Sequence, residues 1–338
     1  FWLGKNIFQQ THYDSAQVYF ENAKKLFPNT SNAFRQSEKY LTSCIFAIDA
    51  VKAPLPVRKV AMGDTINFLN SQFFPVLTAD GETLIFTGIT EKNDENMYTT
   101  NRIAGGWDVP ESISAAINTE NNEGTCSISA DGRTLVFTAC NLPDGLGSCD
   151  LYISRKTCKG CSTPLNFGEI TNTRNWESPP SLSADGRTLY FASDRQNGFG
   201  KKDIWVTNRD QKGQWTTPKN LGAQINTTED DNAPFIHANG HTLFYASNGL
   251  PGMGGYDIYS TQRIDSSWSN PVNIGYPINT ISDQVGLFIT SDNKTAYYTD
   301  DNRGKKQGRA LLYTFEVPQS LRDQITPTRY AKGVVLDK

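Results

Sequence analysis

Five acidic or amide side chains recur at one position of the sequence, each eight residues before the aspartate or asparagine of a repeated turn. These side chains belong to Gln72, Glu123, Glu177, Asp231 and Gln284. If the repeated segments surround a common axis, the five side chains form a polar, mostly acidic ring that could bind a cation or a basic segment of a partner protein. Hydrogen bonding between neighbouring repeats is the competing interpretation, and the sequence leaves both open.

Residue types that carry catalysis or bind metals are otherwise sparse. The three histidines are His12, His237 and His241, and the last two flank a turn that we predict to lie at the surface. A metal site would need further ligands that the sequence does not offer. No Gly-x-Ser-x-Gly nucleophile motif is present. We therefore predict no catalytic residues, no bound metal, no cofactor and no enzymatic activity.

Four of the six cysteines form two pairs that are close in sequence. Cys140 and Cys149 bracket a predicted hairpin loop, and Cys158 and Cys161 bracket a predicted turn. Disulfides that close such loops are typical of oxidising compartments, so these four residues are disulfide candidates. A zinc site built from the four thiolates and a set of free thiols are the alternatives.

The overall charge and hydropathy argue against two classes of partner. The 338 residues carry a formal net charge of −3, which does not favour binding to nucleic acid or to an anionic membrane surface. No run of about 18 apolar residues predicts a membrane span. The sequence begins within a predicted helix and shows no signal peptide, so we expect a mature fragment of a longer protein.

An internal repeat organises most of the chain. Its turn recurs at intervals of 51, 54, 54 and 53 residues, at Asp80, Asp131, Asp185, Asn239 and Asp292. A period near 50 residues is typical of propellers and other repeat architectures. Between the turns, short segments such as TLYFAS (188–193) and DIWVTN (203–208) are rich in aromatic and β-branched residues, which indicates strands.

Each repeat offers four strands, and the Asp-Gly turn favours a tight hairpin between the first two. Four antiparallel strands repeated around an axis form a β-propeller. The fifth repeat, from about residue 284, lacks a fourth strand, and residues 54–70 contain Ile66-Asn67, as the fourth-strand segments of other repeats do. We therefore predict a mainly β fold, a five-bladed β-propeller of four-stranded antiparallel blades that this segment closes. Six blades, with residues 42–70 in an extra blade, are the alternative.

Three aspartates start the third strand of successive repeats: Asp150, Asp203 and Asp257. Their recurrence favours a structural role, in which each side chain accepts hydrogen bonds from a neighbouring turn. Long glycine-rich loops lie on the same predicted face of the propeller as the acidic ring, whereas the Asp-Gly turns lie on the opposite face. Because loops on a rigid scaffold often carry function, we predict that the loop face binds partners.

Residues 1–50 have a different pattern, typical of helices. They match the tetratricopeptide (TPR) pattern at Leu3, Gly4, Ile7, Ala16, Phe20, Ala23 and Pro28. One such repeat cannot bury its apolar face alone, so we expect further repeats upstream. We predict that residues 1–50 are the C-terminal part of a TPR array and that residues 51–318 are the propeller.

Several stretches resemble a known family. NEGTCSISADGRTLVFTAC (122–140), PPSLSADGRTLYFASDR (179–195) and NGLPGMGGYDIY (248–259) are similar to the TolB-like propeller of Bacteroidetes envelope proteins. That family combines a TPR array, a propeller, a carboxypeptidase-regulatory-like domain and an OmpA-like peptidoglycan-binding domain. The resemblance covers essentially the whole chain, and it implies that residues 319–338 are a linker and the first strand of the regulatory-like domain.

The resemblance implies a location in the periplasm, associated with the outer membrane and cell wall. It also implies a non-enzymatic scaffold of a secretion machinery similar to the type IX system, with secretion-system or outer-membrane-associated proteins as partners. Peptidoglycan would be bound by an OmpA-like domain outside this chain. A ligand- or glycan-binding propeller of an uptake system is the alternative, and a propeller hydrolase is a weaker one.

Overall fold

The computed structural model describes residues 1–157, 160–302 and 308–328. Three helices precede the sheets: α1 (Trp2–Gln9), α2 (Tyr13–Leu26) and α3 (Asn32–Lys52). A short strand, β1 (Val60–Ala61), then leads into five antiparallel sheets, which are the blades of a propeller. The predicted mainly β fold with five blades and a short helical start is confirmed.

The blades follow one another along the chain. Blade one contains β2 (Ser71–Leu77), β3 (Thr83–Ile89), β4 (Glu95–Ile103), β5 (Gly106–Trp107) and β6 (Glu111–Ser112). Blade two contains β7 (Asn122–Ile128), β8 (Thr134–Cys140), β9 (Cys149–Thr157), β10 (Gly160–Cys161) and β11 (Leu165–Asn166). Blade three contains β12 (Glu177–Leu182), β13 (Thr188–Ser193), β14 (Asp203–Asn208) and β15 (Lys219–Asn220).

The last two blades complete the ring. Blade four contains β16 (Asp231–Ile236), β17 (Thr242–Ser247), β18 (Asp257–Ile264), β19 (Ser267–Trp268) and β20 (Val272–Asn273). Blade five contains β21 (Gln284–Ile289), β22 (Thr295–Asp300) and β23 (Leu311–Glu316). The first strand of each blade contacts the first strands of both neighbouring blades, and β2 contacts β21, so the five inner strands surround a central axis.

The N-terminal segment closes the ring, as the sequence predicts. β1 pairs antiparallel with β23, with Val60 opposite Thr314. The Asn67 side chain extends this pairing: its Oδ1 accepts from the Leu312 backbone N–H at 2.9 Å and its Nδ2 donates to the Leu312 carbonyl at 3.0 Å. The six-bladed alternative is wrong, because residues 42–52 belong to α3 and the segment after it supplies a single outer strand to blade five.

The same asparagine contact recurs in the other four blades. In each case one asparagine side chain accepts from the backbone N–H, and donates to the backbone carbonyl, of a single residue in the third strand of the blade that precedes it in the chain. The four asparagines are Asn118, Asn172, Asn226 and Asn279. The outermost strands β6, β11, β15 and β20 have only two residues each. An amide side chain that imitates a peptide group therefore continues a short strand pairing beyond its end.

The second strands form the apolar interior between blades. β13 and β17 have almost no exposed residues, since both faces of each strand are covered by neighbouring blades. Between blades two and three, for example, Val136 packs with Leu182, Leu189 and Phe191. Burying continuous apolar strands in this way is the main favourable contribution to the stability of the ring.

The three aspartates at the start of the third strands bind the loops before them. Asp150 accepts from Leu146 N at 2.6 Å, Asp203 accepts from Gly200 N at 3.1 Å, and Asp257 accepts from Met253 N at 2.7 Å. The predicted structural role of these carboxylates is confirmed. Each carboxylate satisfies backbone N–H groups that the loop could not pair by itself.

The helices pack on the loop face of blade four. The Tyr13 hydroxyl donates to the Met253 carbonyl at 3.3 Å, and the Gly252 N–H donates to Ser43 Oγ at 3.2 Å. The Lys39 ammonium donates to the Asn248 carbonyl. Met253 is buried in one cluster with the apolar residues of the helices, so the helical segment and the propeller share an interior.

After β23, the chain crosses to the face with the Asp-Gly turns. This part contains α4 (Gln319–Arg322), and the Ile325 carbonyl accepts from Asn293 Nδ2 at 2.8 Å. Thr328 N donates to the Ser291 carbonyl at 3.1 Å. The predicted strand within residues 329–338 lies outside the described residues. Among the helices that the structure describes, none combines the length and apolar character needed to cross a membrane.

Candidate functional site

The predicted ring side chains are fully buried where the inner strands start. Glu123 accepts from the Thr119 backbone N–H at 2.7 Å and from its hydroxyl at 2.5 Å. Glu177, Asp231 and Gln284 likewise accept from the backbone N–H of the threonine four residues earlier in the chain. Burial raises the pKa of Glu123, and the two bonds from Thr119 oppose this effect.

Gln72 is the exception within the ring. Phe68 stands where the other four repeats have threonine, and the Gln72 amide is buried without a hydrogen-bond partner among the described residues. None of the five side chains lines the central cavity described below. The contacts therefore hold the other four ring side chains to their own turns, and a binding role for the ring stays a prediction.

The helices α2 and α3 cover the loop face at the loops of blade four. Partner binding by this face stays a prediction. His237 differs from expectation: it is fully buried rather than at the surface, because its ring lies beside the Thr290 carbonyl of blade five, at 3.4 Å from Nε2. Burial lowers the pKa of His237. His241 is exposed, as predicted.

The cysteine candidates have different outcomes. Cys140 and Cys149 lie directly opposite each other on β8 and β9 and form a disulfide. Cys161 is a free cysteine, and Cys158 lies outside the described residues. In the described part of the chain, no group of three or more His, Cys, Asp or Glu is placed to bind a metal.

Replacing Cys140 and Cys149 together by serine is expected to lower the free energy of unfolding by about 2–3 kcal/mol, because the bond closes a short loop in the unfolded chain. Urea unfolding followed by fluorescence measures this loss. Cys126→Ser is an unsuitable control, because Cys126 is buried in the core; Cys161→Ser, at a half-buried free thiol, is the matched one. Equal unfolding midpoints for the double variant and the wild type would show that the disulfide is not formed in solution.

A central cavity of about 820 Å³ lies on the opposite face, at the Asp-Gly turns. The first strands of all five blades line it, from the middle of each strand to the turn. Its size lies within the range of about 300–1,000 Å³ that is usual for ligand-binding cavities. Sequence reasoning missed this cavity, because it assigned the tight turns a purely structural role.

Bulges in the inner strands shape the inner end of the cavity. The register between first and second strands shifts in every blade. At this point Phe74, Thr125, Ala233 and Gly286 have positive φ angles of 52°, 42°, 51° and 61°. The sequence contained a signal for these bulges, since Pro75, Pro180 and Pro234 stand within strands that otherwise read as regular.

Phe74 lies at this inner end. A Cβ added to Gly286 would lie 2.7 Å from Cδ1 of Phe74, so the phenyl ring rests directly on the glycine backbone. The Phe74 N–H donates to Thr299 Oγ1 of blade five at 3.0 Å, which holds the strained residue in place. The lining therefore extends from Phe74 and the bulges to the Asp-Gly turns.

The side walls of the cavity have two different characters. Val76, Phe235 and Phe288 provide an apolar wall from blades one, four and five. Ser127 and Ser181 provide a hydroxyl-bearing wall from blades two and three. These two hydroxyl oxygens accept from Leu182 N and Ile236 N, each at 2.9 Å.

Charged groups in the described lining lie only near the rim: Asp80, Arg102 and Asp292. Arg102 stacks on Trp107 at 4.3 Å and donates to the Tyr297 hydroxyl at 3.2 Å. Asp292 caps its turn and pairs with Lys294 at 3.6 Å. Although partial burial opposes the effect, hydrogen bonds from Thr290 and Lys294 hold the pKa of Asp292 below its ordinary value.

No known protein family and no curated protein matches the sequence. Among solved structures, the chain is similar to the catalytic domain of a GH62 α-L-arabinofuranosidase from Coprinopsis cinerea, with 13% identity and a TM-score of 0.51 over 77% of this chain and 96% of that one. It is also similar to a GH62 hydrolase in complex with xylotriose, with 12% identity and a TM-score of 0.51 over 77% and 97% of the two chains.

A further match is TolB from Acinetobacter baumannii, with 14% identity and a TM-score of 0.47 over 85% of this chain and 70% of that one. At such identities, similarity concerns the fold and not the activity, because one fold carries many unrelated functions. The comparisons therefore show a fold similar to that of the GH62 hydrolases and no more.

Proposed function

We propose that this protein is a non-enzymatic scaffold of a periplasmic machinery associated with the outer membrane, and that it binds partner proteins through its helices and propeller. The observation that carries the proposal is the apolar surface of α1 and α2. Trp2, Leu3, Val18 and Leu26 are 76, 53, 55 and 79% exposed. Several large apolar side chains exposed on one small helical unit favour a protein contact surface.

The sequence resemblance supports the finer part of the proposal. Helices followed by a five-bladed propeller are the order of the Bacteroidetes TPR–propeller–regulatory-like–OmpA-like family, which includes PorE of the type IX secretion system. In this proposal, the chain contacts other secretion-system or outer-membrane-associated proteins. An OmpA-like domain outside the 338 residues would tether it to peptidoglycan.

A glycoside hydrolase is the competing function, since GH62 enzymes have a similar fold. Such enzymes need two carboxyl groups on either side of the scissile bond, one of them with a raised pKa. The only carboxyl groups in the described lining are those of Asp80 and Asp292, and both cap turns at the rim. Because the pKa of Asp292 is lowered, it is a poor general acid, which favours the non-enzymatic scaffold.

Affinity purification from native cell envelopes tests the proposal. We expect the wild-type chain to recover secretion-system or outer-membrane proteins, identified by mass spectrometry. A Trp2→Ser/Leu26→Ser variant should bind at least about a hundredfold more weakly and be recovered correspondingly less, because two buried apolar side chains at about 1.5–3 kcal/mol each contribute about 3 kcal/mol or more to the contact. Val109→Ser, at a position that is 71% exposed on the propeller, is the control. Equal recovery by all three chains, or recovery of glycan-uptake proteins alone, would contradict the proposal.

A further inference from the structure

We infer that the cavity at the Asp-Gly turns is a binding site for an extended, uncharged peptide segment of a partner protein that carries large apolar side chains. The inference names a partner for the scaffold and rests on the proposed function for its biological meaning. Peptide binding by the purified chain is measured separately from the recovery of partners from cell envelopes. The site lies on the face opposite to the one that the helices cover.

The apolar wall, together with Phe74 at the inner end, indicates that the ligand carries apolar side chains. Phe74, Val76, Phe235 and Phe288 are each partly exposed although they line a concave surface. Phe235 and Phe288 contact each other, with ring centroids 5.1 Å apart. Aromatic side chains on a concave surface offer a large apolar area, which an apolar side chain inserted from the turns would cover.

The hydroxyl wall indicates that the ligand also carries hydrogen-bond acceptors. Ser127 and Ser181 accept backbone N–H groups with their oxygens, and neither O–H has an acceptor among the described residues. Both hydroxyl groups can therefore donate to a ligand. An extended peptide places apolar side chains and carbonyl acceptors on different sides of one chain, so it can contact both walls at once.

The absence of charge within the described walls argues against other ligands. Between Phe74 and the rim, the lining has no carboxylate, amide or basic side chain. A charged peptide side chain within these walls would be desolvated without a partner. A fatty acyl chain would leave the two serine hydroxyls unpaired.

The mouth of the cavity is wide because four of the five turns carry alanine before the aspartate or asparagine: Ala79, Ala130, Ala184 and Ala238. Ala184 is half-buried, and Arg187 is exposed in the same turn but does not line the cavity. A tryptophan at 184 would narrow the mouth, whereas a tryptophan at 187 would leave it open. The two substitutions therefore form a matched pair.

The experiment is a selection of phage-displayed random short peptides on the purified wild-type chain, with titration of the selected peptides. We expect enrichment of uncharged sequences with Phe, Leu or Trp. The affinity of the selected peptides should fall at least about tenfold for Ala184→Trp, which is a loss of about 1.4 kcal/mol or more in binding free energy. For Arg187→Trp it should change less than about twofold, which is less than half of that energy. Circular dichroism establishes that both variants are folded.

Three results would overturn the inference: no enriched sequence, enrichment of charged sequences, or equal affinity for the Ala184→Trp variant and the wild type. Palmitate and xylotriose are titrated alongside. Saturable binding of either probe that Ala184→Trp abolishes, without peptide binding, would assign the cavity to a lipid or a glycan instead. Failure of the peptide selection leaves envelope recovery through α1 and α2 intact, so it is distinguishable from failure of the scaffold proposal.

Discussion

Asp257→Ala is expected to lower the free energy of unfolding by about 2–5 kcal/mol and to release the helical segment from the propeller. The Asp257 carboxylate accepts from Met253 N at 2.7 Å and from Gly254 N at 3.2 Å. Met253 is 1% exposed, so the substitution leaves buried N–H groups unpaired, at about 1–3 kcal/mol each. The same loop contacts Tyr13 of α2 and Ser43 of α3.

Amide hydrogen exchange along α2 and α3 measures the release of the helices, and urea unfolding measures the stability. Asp150→Ala is the control, because Asp150 binds Leu146 N and Gly147 N in blade two. We expect a smaller loss of stability from this control, because Leu146 is exposed and water can replace part of what is lost, and unchanged exchange in the helices. If the two variants raise exchange in α2 and α3 equally, the loop of blade four does not hold the helices.

The pKa of Asp257 determines the direction in which the stability contributed by this residue changes with pH. Burial raises the pKa of Asp257 to about 7, above its ordinary value of 3.8. Between these values the folded chain binds a proton that the unfolded chain does not, so this group contributes less stability as pH rises through 7. The stabilities of Asp257→Ala and the wild type are therefore compared at pH 6. As the pH rises from 6 to 8, the wild type should lose stability relative to Asp257→Asn, which does not titrate.

Asn67→Ala is expected to lower the free energy of unfolding by about 1–3 kcal/mol, because it leaves the backbone N–H of Leu312 unpaired in a fully buried position. The Leu312 carbonyl keeps the hydrogen bond from the Met62 backbone N–H. The substitution also weakens the closure of the ring. Limited proteolysis should therefore cut residues 53–70 faster in the variant, and urea unfolding gives the loss of stability.

Asn118→Ala is the matched control for Asn67. It removes the equivalent contact with Met97 inside the continuous chain of blades one and two. Asn118 is partly exposed, so water can replace part of what is lost. We expect a smaller loss of stability and no faster cleavage at 53–70. An Asn67 variant that is as stable and as resistant as the Asn118 variant would mean that this side chain does not secure the ring.

Local sequence signals predicted most of the propeller. The Asp-Gly turn and the apolar strands after it determine a hairpin within about 15 residues. The sequence of each repeat is therefore almost sufficient to predict its own blade. The recurring Asp257 and Asn67 positions were visible for the same reason. Ring closure was predictable because Ile66-Asn67 repeats a pattern found in other repeats.

Two features could not be predicted from the repeats: the packing of the helices on blade four and the presence of the cavity. Tyr13 and Met253 are 240 residues apart, and no periodic pattern joins them. The cavity walls differ because equivalent positions carry valine, serine or phenylalanine, namely Val76, Ser127, Ser181, Phe235 and Phe288. A repeat alignment emphasises what the blades share, whereas a binding site depends on what distinguishes them.

The closure of the ring by β1 has a mechanical consequence. Val60 pairs with Thr314 in an antiparallel strand pair, so the chain enters β1 and leaves β23 at the same end of blade five. Tension applied between the helices and the segment after residue 316 first loads the contacts of the helices with blade four. Once these contacts are lost, the tension separates β1 and β23 one hydrogen bond at a time. The ring therefore opens at blade five, and opening it also disturbs the cavity, because all five blades line it.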